Sequence, residues 1–271
     1  MKAVILLSDV FAYDSHLHTI YSGHSHPAMT VEAVIRQMQE MRLEQIAITE
    51  HVFEEPDLST IEIIASQIPP SAENVLIGVE IDADATALDG ALVAPTDGLD
   101  WVIASFHKFP GTSIWWHEDY RKVKEEKTIY REWLDWVHKV IAKSKPDTLG
   151  HPGALICQLS IVEEFDRPIL RDFAEILDSC REHGVAIELN EATHNKMRRL
   201  QKETYYRVFQ LAKEKGVKIV LGSDAHSLPK IGRYLWAREI ADRAGLSVSD
   251  FIDPRRENPG IHSGDERRTN V

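Results

Sequence analysis

The sequence has few of the features that stabilise secreted or membrane-bound proteins. Cys157 and Cys180 are its only cysteines, too few for a disulfide framework and not in metal-finger or redox-pair spacing. No stretch approaches the roughly 20 consecutive apolar residues that cross a bilayer, so we expect no membrane insertion. Met1 to Val10 carries a short apolar run without a clear signal-peptide cleavage site, which predicts an edge strand or, alternatively, a leader. We therefore expect a cytoplasmic protein.

Basic residues are also in the minority. The formal net charge is -12, whereas binding nucleic acid through a general basic surface requires many Lys and Arg residues to neutralise phosphates. We expect no stable nucleic-acid partner, although local cations can still bind a small phosphorylated substrate. The 271 residues suit one α/β barrel, which commonly takes about 200 to 250 residues. We predict a single domain over 1–252 and a polar tail over 253–271.

Short apolar runs alternate with amphipathic segments, the pattern of repeated βα units around a parallel sheet. Seven strands are predicted: Tyr13 to His18, Gln45 to Thr49, Val75 to Ile81, Trp101 to Ser105, Asp147 to Gly150, Val185 to Asn190 and Val217 to Gly222. This order predicts an α/β fold with a parallel sheet.

Helices are predicted between these strands. Thr30 is a plausible N-cap, followed by apolar residues that recur on one face as far as Met38. Further helices are predicted at Ser59 to Gln67, Lys122 to Lys143, Arg167 to His183, Lys202 to Lys215 and Gly232 to Ala244. Gly184 and Gly216 stand where C-terminal caps belong.

Histidines and acidic residues follow the strands one after another. These residues are His16, His18, His51, Glu80, His107, His151, Glu188, Asn190, Asp224 and His226. In a parallel barrel the carboxyl ends of the strands form one rim, where catalytic residues collect. Carboxylates crowded there would repel and lose solvation unless cations compensated them. The mixed N/O ligand set predicts zinc, manganese or iron rather than magnesium or calcium alone.

Seven ordered motifs resemble those of the PHP (polymerase and histidinol phosphatase) superfamily, over about Tyr13 to Ser227. They are Asp14-Ser15-His16-Leu17-His18-Thr19, Ile48-Thr49-Glu50-His51, Gly78-Val79-Glu80, Ala104-Ser105-Phe106-His107, Gly150-His151-Pro152-Gly153, Glu188-Leu189-Asn190 and Gly222-Ser223-Asp224-Ala225-His226. The resemblance implies a distorted (β/α)7 barrel, similar to a TIM barrel, with three divalent metal ions.

By motif position, the resemblance implies three groups of ligands. His16, His18, Glu80 and Asp224 would hold one metal; Glu80 would bridge to a second, completed by His107 and His151; His24, His51 and His226 would hold the third. His26 competes with His24, but the family spacing favours His24. The second motif of the family usually has Asp where this chain has Glu50. We expect Asp14, Glu50, Glu188 and Asn190 to orient ligands.

The implied activity is hydrolysis of a small phosphomonoester, in which a hydroxide bridging two metals attacks phosphorus. We expect Glu80, Asp224 and His226 to be catalytic. Candidate substrate contacts lie on loops above the rim: Lys108, Trp115, Trp116, His117, His194, Arg198, Arg199, Lys230 and Arg233. Solvated helix starts are the alternative for the basic residues, packing on the barrel for the two tryptophans, and ordinary surface for the two histidines.

Three alternative functions compete with this hypothesis. Other metal-dependent barrel hydrolases also open with His-x-His but need no counterpart of His24 or His51. A phosphodiesterase or exonuclease acting on nucleotides is the second alternative, and a catalytically silent metal-binding module is the third. Histidinol phosphate is a candidate substrate because stand-alone histidinol phosphatases belong to the family, although no loop motif identifies it.

Overall fold

The residues that the structure describes form seven parallel strands and seven α-helices. A computed structural model describes residues 10–53, 58–122 and 124–252. The strands are β1 (Tyr13–Leu17), β2 (Gln45–Val52), β3 (Val75–Asp82), β4 (Trp101–Ser105), β5 (Thr148–Leu149), β6 (Ala186–Asn190) and β7 (Ile219–Gly222). They pair in sequence order, which confirms the predicted parallel α/β fold. The prediction for Met1 to Val10 lies outside the described residues except at Val10, as does the tail at 253–271.

The helices pack on the outside of the sheet. They are α1 (Val31–Met41), α2 (Ser59–Gln67), α3 (Glu126–Ser144), α4 (Arg167–His183), α5 (Arg199–Thr204), α6 (Tyr206–Lys215) and α7 (Trp236–Ala244). Thr30 caps α1 by accepting the Ala33 N–H, and Gly184 and Gly216 end α4 and α6 in the left-handed conformation, as predicted. Within the described ranges, none of the helices combines the length and apolar character that a bilayer crossing requires.

Three helix starts differ from their predicted positions. The predicted start at Lys122 moves to Glu126, whose carboxylate accepts the Ser160 and Ile161 N–H groups and thereby fixes the first turn. The predicted start at Gly232 moves to Trp236, because Glu191 caps the Trp236 N–H.

The predicted helix from Lys202 to Lys215 is two helices, α5 and α6, with α5 already beginning at Arg199. The Thr204 hydroxyl donates to the Leu200 carbonyl, and Arg243 donates to the Glu203 carbonyl. These two side chains therefore donate hydrogen bonds to backbone carbonyls close to the boundary between α5 and α6.

The sheet closes into a barrel where the chain after β7 meets β1. The Asp224 N–H donates to the His16 carbonyl at 2.7 Å, and the His18 N–H donates to the Ala225 carbonyl at 3.1 Å. The buried Asp14 carboxylate accepts the N–H groups of Ser223 and Gly232, both at 2.9 Å. These bonds confirm a distorted (β/α)7 barrel and place the first and last motifs side by side.

The strand residues that point into the barrel form two layers. The lower layer is apolar, and the upper layer, at the carboxyl ends of the strands, is polar and forms the mouth of the barrel. Side chains two residues apart lie on the same face of a strand. The lower layer is an apolar cluster of Ala47, Leu76, Trp101, Ile103, Ala186 and Val220. Continuing each strand by even steps leads to the upper layer of His51, Glu80, Asp82, Ser105, His107, Glu188, Asn190 and Asp224. The packed lower layer therefore supports the polar groups above it.

Candidate metal centre

Glu80 is at the centre of the polar cluster. Its Oε2 lies 2.8 Å from His51 Nδ1 and 3.2 Å from His16 Nε2, and its Oε1 lies 2.9 Å from His151 Nε2 and 3.3 Å from His107 Nε2. The side chain is only 1% exposed. One carboxylate thus contacts imidazoles delivered by four different strands, as a bridging ligand would.

Asp224 is a second carboxylate on which several imidazoles converge. Its Oδ1 is 3.3 Å from His18 Nε2, 3.5 Å from His226 Nδ1 and 4.0 Å from His16 Nε2. The last motif therefore reaches the histidines of the first motif across the barrel closure. Both histidines of that motif point inward although the register shifts within β1, where the Thr49 hydroxyl bonds the Leu17 N–H and carbonyl.

Three groups of side chains are close enough to hold cations, with potential ligand atoms within 4.8 Å of one another in each. The groups are His16, His18 and Glu80; Glu80, His107 and His151; and His18, His51 and His226. The groups share Glu80 and His18, which makes them one continuous cluster.

His24 borders this cluster, on the loop after β1. Its ring centroid is 4.5 Å from that of His226 and 5.1 Å from that of His51. The competing His26 has its ring Nδ1 occupied by the Ala28 N–H, and its own N–H donates to the His226 carbonyl. The ring geometry is therefore consistent with the preference for His24.

Three buried imidazoles have a carboxylate at Nδ1, which leaves Nε2 directed into the cluster. The pairs are His16 with Glu188 at 2.7 Å, His18 with Glu50 at 3.3 Å, and His107 with Asp82 at 2.5 Å. Such outer carboxylates fix the tautomer and orientation of metal-binding histidines. Glu50 also accepts the Thr19 N–H at 2.9 Å. Asn190 donates to Glu188 and to Asp224.

The imidazoles fall into two electrostatic classes. Burial alone would lower the pKa of His18 and His107, but neighbouring carboxylates outweigh it and raise these pKa values to about 9 and about 10. Burial and the nearby His18 lower the pKa of His51 to about 3 and that of His226 to about 4. His51 and His226 are therefore neutral at ordinary pH, whereas a metal ion bound at His18 or His107 would displace the proton that the carboxylates favour there.

Several buried atoms in the cluster have no hydrogen-bond partner among the described residues. They are both ring nitrogens of His51, Nε2 of His226 and Oε2 of Glu80; His51 Nδ1 and Glu80 Oε2 lie 2.8 Å apart but without the geometry of a hydrogen bond. An unpaired polar atom in a buried position is costly unless something else satisfies it. The atoms are all imidazole nitrogens or carboxylate oxygens, a donor set that suits zinc, manganese and iron. The residues therefore fit divalent metal ions.

The backbone is strained at two of the predicted ligands. His151 has a φ of 27° and Asp224 a φ of 52°, which non-glycine residues seldom adopt. The His151 N–H donates to Glu188 Oε2 at 2.7 Å, which holds this turn in place. Beside Asp224, Gly222 allows close packing, because a Cβ there would collide with the Glu188 carboxylate.

Some of the predicted substrate contacts lie beside the cluster, on the loop after β4. The rings of Trp115 and Trp116 lie 6.5 and 4.9 Å from that of His107, and Lys108 Nζ lies 4.8 Å from the Trp115 ring centroid. His117 is exposed, with its ring 6.2 Å from that of Trp115. These residues surround one side of the cluster.

The remaining candidates have contacts of other kinds or stand in solvent. Arg198 donates to the carbonyls of Leu159 and Val162, and Arg199 pairs with Glu203. His194 lies beside Trp236, at 5.6 Å between ring centroids. Lys230 and Arg233 are exposed on the segment before α7.

Sequence reasoning missed four residues of the mouth. Asp82 holds His107, and Ser105 donates to Glu80 Oε1 at 2.7 Å; both lie two residues from a predicted ligand on the same strand face, a spacing that could have revealed them. Phe53 stacks on His51 at 4.4 Å, and Lys196 lies 5.2 Å from the Trp116 ring. The sequence gives no comparable indication for the last two.

The PHP domain family model matches residues 14–192, about two thirds of the chain. The chain belongs to the PHP domain family. The match runs from β1 to just beyond β6, so Asp224 and His226 lie beyond it, and their part in a PHP site rests on the contacts described above.

Full-length relatives and a solved structure extend the likeness over most of the chain. A protein named as a probable phosphatase in Vibrio campbellii is 29% identical over 245 residues, covering 88% of this chain and 87% of that one. Another, in a Thermoanaerobacter species, is 28% identical over 242 residues, covering 86% of each. The structure of histidinol phosphate phosphatase from Lactococcus lactis, complexed with zinc, L-histidinol and phosphate, has a TM-score of 0.64 at 21% identity and covers 89% and 98% of the two chains. That structure shows the same fold.

Proposed function

We propose that this protein is a metal-dependent phosphomonoesterase with a trinuclear site. The observation that carries the proposal is the continuous cluster around Glu80 and His18, in which four buried ligand atoms form no hydrogen bond with any described residue. Nine side chains would hold the ions: His16, His18, His24, His51, Glu80, His107, His151, Asp224 and His226. The relatives named as probable phosphatases support hydrolysis of phosphoric esters as the reaction class.

Divalent ions held there would supply a water-derived nucleophile at neutral pH and would neutralise charge on the phosphoryl oxygens. The chain's own part is to hold the imidazoles in one orientation before substrate arrives. Glu188, Glu50 and Asp82 keep the Nδ1 protons of their histidines in place, which aims each Nε2 at the cluster. The Ser105 hydroxyl donates to Glu80 Oε1 and thereby helps to orient this carboxylate.

The proposed substrate is a small phosphomonoester bound between the metals and the loop after β4. Lys108, Trp115 and Trp116 remain our proposed contacts because they surround the cluster at its His107 side. Arg198 is a weaker candidate, since its guanidinium already binds two backbone carbonyls. Histidinol phosphate is one candidate substrate, supported by the fold shared with the Lactococcus lactis enzyme.

The test is phosphate release by chelator-stripped protein to which Mn²⁺ or Zn²⁺ is returned. The panel contains histidinol phosphate, nucleoside monophosphates, sugar phosphates and a bis(nitrophenyl) phosphodiester, and the bound metal is counted in every sample. We expect metal-dependent release from monoesters. Cleavage of the diester alone would support the phosphodiesterase alternative, and no release by protein with three bound ions would support a silent metal-binding module.

A further inference from the structure

Two aromatic residues form a wall beside the cluster, which we call the aromatic wall: Phe53 and Trp115. Phe53 stacks on His51 with ring centroids 4.4 Å apart, and its ring is 5.4 Å from that of His107. Trp115 meets Phe53 at 5.0 Å with an interplanar angle of 86°. The two rings thus form a corner at one side of the predicted metal site.

Three hydrogen bonds brace the loop that carries Trp115. Phe109 N–H donates to the Ile114 carbonyl at 2.9 Å, and Trp116 N–H donates to the His107 carbonyl at 2.8 Å, which closes a short hairpin. The Trp115 N–H donates to Glu118 Oε2 at 2.7 Å. A surface fixed in advance loses little conformational entropy when it binds a ligand.

The aromatic wall is not part of the packed core. Phe53 and Trp115 are both half-buried, whereas Phe109 in the same loop and Trp136 on α3 are completely buried. The neighbouring surface towards the cluster consists of imidazoles and carboxylates. The aromatic wall is therefore an apolar corner, with Lys108 Nζ beside the Trp115 ring, next to the position where a phosphoryl group would bind.

We propose that the aromatic wall binds a planar aromatic ring in the alcohol part of the substrate, a proposal that rests on the phosphomonoesterase function above. The preferred substrates are then phosphomonoesters with an aromatic ring a few bonds from the ester oxygen. Sugar and polyol phosphates would leave the wall uncovered. Aromatic rings gain from stacked or edge-to-face contacts beyond the burial of area, which a saturated ring of similar size does not.

The first test compares benzyl phosphate with cyclohexylmethyl phosphate. Both leaving groups are primary alcohols of similar size, and burial of apolar area alone would give the saturated ring at least equal preference. We expect kcat/KM to favour benzyl phosphate by about 5- to 10-fold. Phe53→Leu and Trp115→Leu should each reduce this ratio towards one. Tyr206→Leu, a half-buried aromatic residue on α6 away from the mouth, should leave it unchanged.

The ratio of two substrates isolates the effect of the wall, because a loss of metal or of folded protein lowers both rates together. Phe53→Tyr keeps the ring and should restore the preference. A ratio near one in the natural protein, or a ratio that survives in both leucine variants, would overturn the proposal. Since Phe53 and Trp115 stand on different elements, failure of one variant to fold leaves the other as the test.

A binding measurement separates this proposal from the proposed function. Benzylphosphonate and cyclohexylmethylphosphonate cannot be hydrolysed, and calorimetry on zinc-loaded protein measures their affinities without turnover. Tighter binding of benzylphosphonate, lost in Trp115→Leu, would support the aromatic wall even if no ester were hydrolysed. Equal binding of the two phosphonates, together with normal phosphate release from the panel, would overturn the wall and leave the phosphomonoesterase intact.

Discussion

Carboxylates at both ends of the barrel accept backbone N–H groups, but those at the amino-terminal end are partly buried and those at the mouth are fully buried. At the amino-terminal end, Asp100 accepts the Ile77 N–H at 3.0 Å and Asp147 accepts the Val102 N–H at 2.7 Å. At the mouth, Glu188 accepts the His151 N–H and Glu50 accepts the Thr19 N–H. Each of these bonds ties neighbouring strands together.

The carboxylates at the two ends differ in the groups that surround them and therefore in their pKa values. Burial raises the pKa of Asp147 to about 6, opposed only by its bond from Val102. Burial also favours the neutral form of Glu50, but His18 and Thr19 outweigh it and lower its pKa to about 2. Asp147, which bonds only the backbone of the neighbouring strand, is thus held at a cost, whereas Glu50 is stabilised in its charged form by His18 and Thr19. The following predictions test this division.

The largest effect is expected from Asp224→Asn, because Asp224 joins the histidines of the first and last motifs. An amide is a poorer metal ligand than a carboxylate, so turnover should fall by at least about 10²–10³-fold while the fold is retained. Phosphate release and circular dichroism measure the two quantities. Asp242→Asn changes an exposed acid on α7 and should have no effect on either. Substantial residual activity in Asp224→Asn would contradict the proposed site.

Asp82→Asn should weaken metal binding without removing a ligand. The amide can present its NH₂ group to His107 Nδ1 instead of an acceptor oxygen, which favours the wrong tautomer or orientation of the imidazole. Loss of such a partner typically costs about 10- to 100-fold in metal affinity. Competition with a chromophoric zinc chelator measures it, with Asp89→Asn, an exposed acid paired with Lys143, as the control. An unchanged zinc affinity in Asp82→Asn would mean that the Asp82 carboxylate does not orient His107 for metal binding.

His24→Ala and His26→Ala form a matched pair on one loop. We expect His24→Ala to lose about one of three metal equivalents and at least about tenfold in activity, since its ring lies beside those of His51 and His226. His26→Ala should keep all three ions because His26 Nδ1 accepts the Ala28 N–H, whereas His24 Nδ1 donates to the Ser22 carbonyl and so leaves its Nε2 lone pair for a metal ion. Metal counting by mass spectrometry decides between them. The reverse pattern would assign the third ion to His26.

The smallest effect concerns the opposite end of the barrel. Asp147 is protonated in the folded protein up to about pH 6 but has a pKa of about 3.9 when unfolded, so its contribution to stability is complete below about pH 4 and is lost as the pH rises through 6. Asp147→Asn is neutral throughout and keeps an acceptor for Val102. The variant should gain on the order of 1–2 kcal/mol in the free energy of unfolding at pH 7.5.

Urea unfolding of natural protein and Asp147→Asn, compared from pH 4 to 7.5, measures this gain. The difference should shrink towards zero at pH 4, and activity should be unchanged. A gain that does not depend on pH would show that burial of the charge is not its cause. Asp242→Asn serves as the exposed control here as well.

Apart from the division of the predicted helix Lys202 to Lys215 into α5 and α6, the sequence was sufficient for the order and type of the elements, because most strands and helices carry their own periodicity. Strand positions and the caps of α1, α4 and α6 follow from that local pattern. The starts of α3 and α7 did not, since Glu126 bonds a loop 34 residues away and Glu191 bonds a helix 45 residues away. Such boundaries depend on tertiary contacts that periodicity does not contain.

The candidate ligands could be named from the sequence because strand ends of a parallel barrel converge, and the structure brings them together at Glu80 and Asp224. The grouping was harder to foresee. His18 contacts both Asp224 and the rings of His51 and His226, so it belongs to two groups at once. Phe53 was missed because a phenylalanine after a strand is ordinary in sequence, and only its stacking on His51 makes it notable.

The left-handed backbone at His151 and Asp224 predicts which substitutions would be enriched if variants were selected for stability alone. Glycine adopts these dihedral angles without a steric penalty, so folding by itself favours glycine at both positions. A library of variants sorted only for thermal stability in chelator should therefore drift towards glycine there, while one sorted for phosphate release should keep histidine and aspartate. Non-glycine residues at these two left-handed positions therefore indicate selection for function rather than for stability.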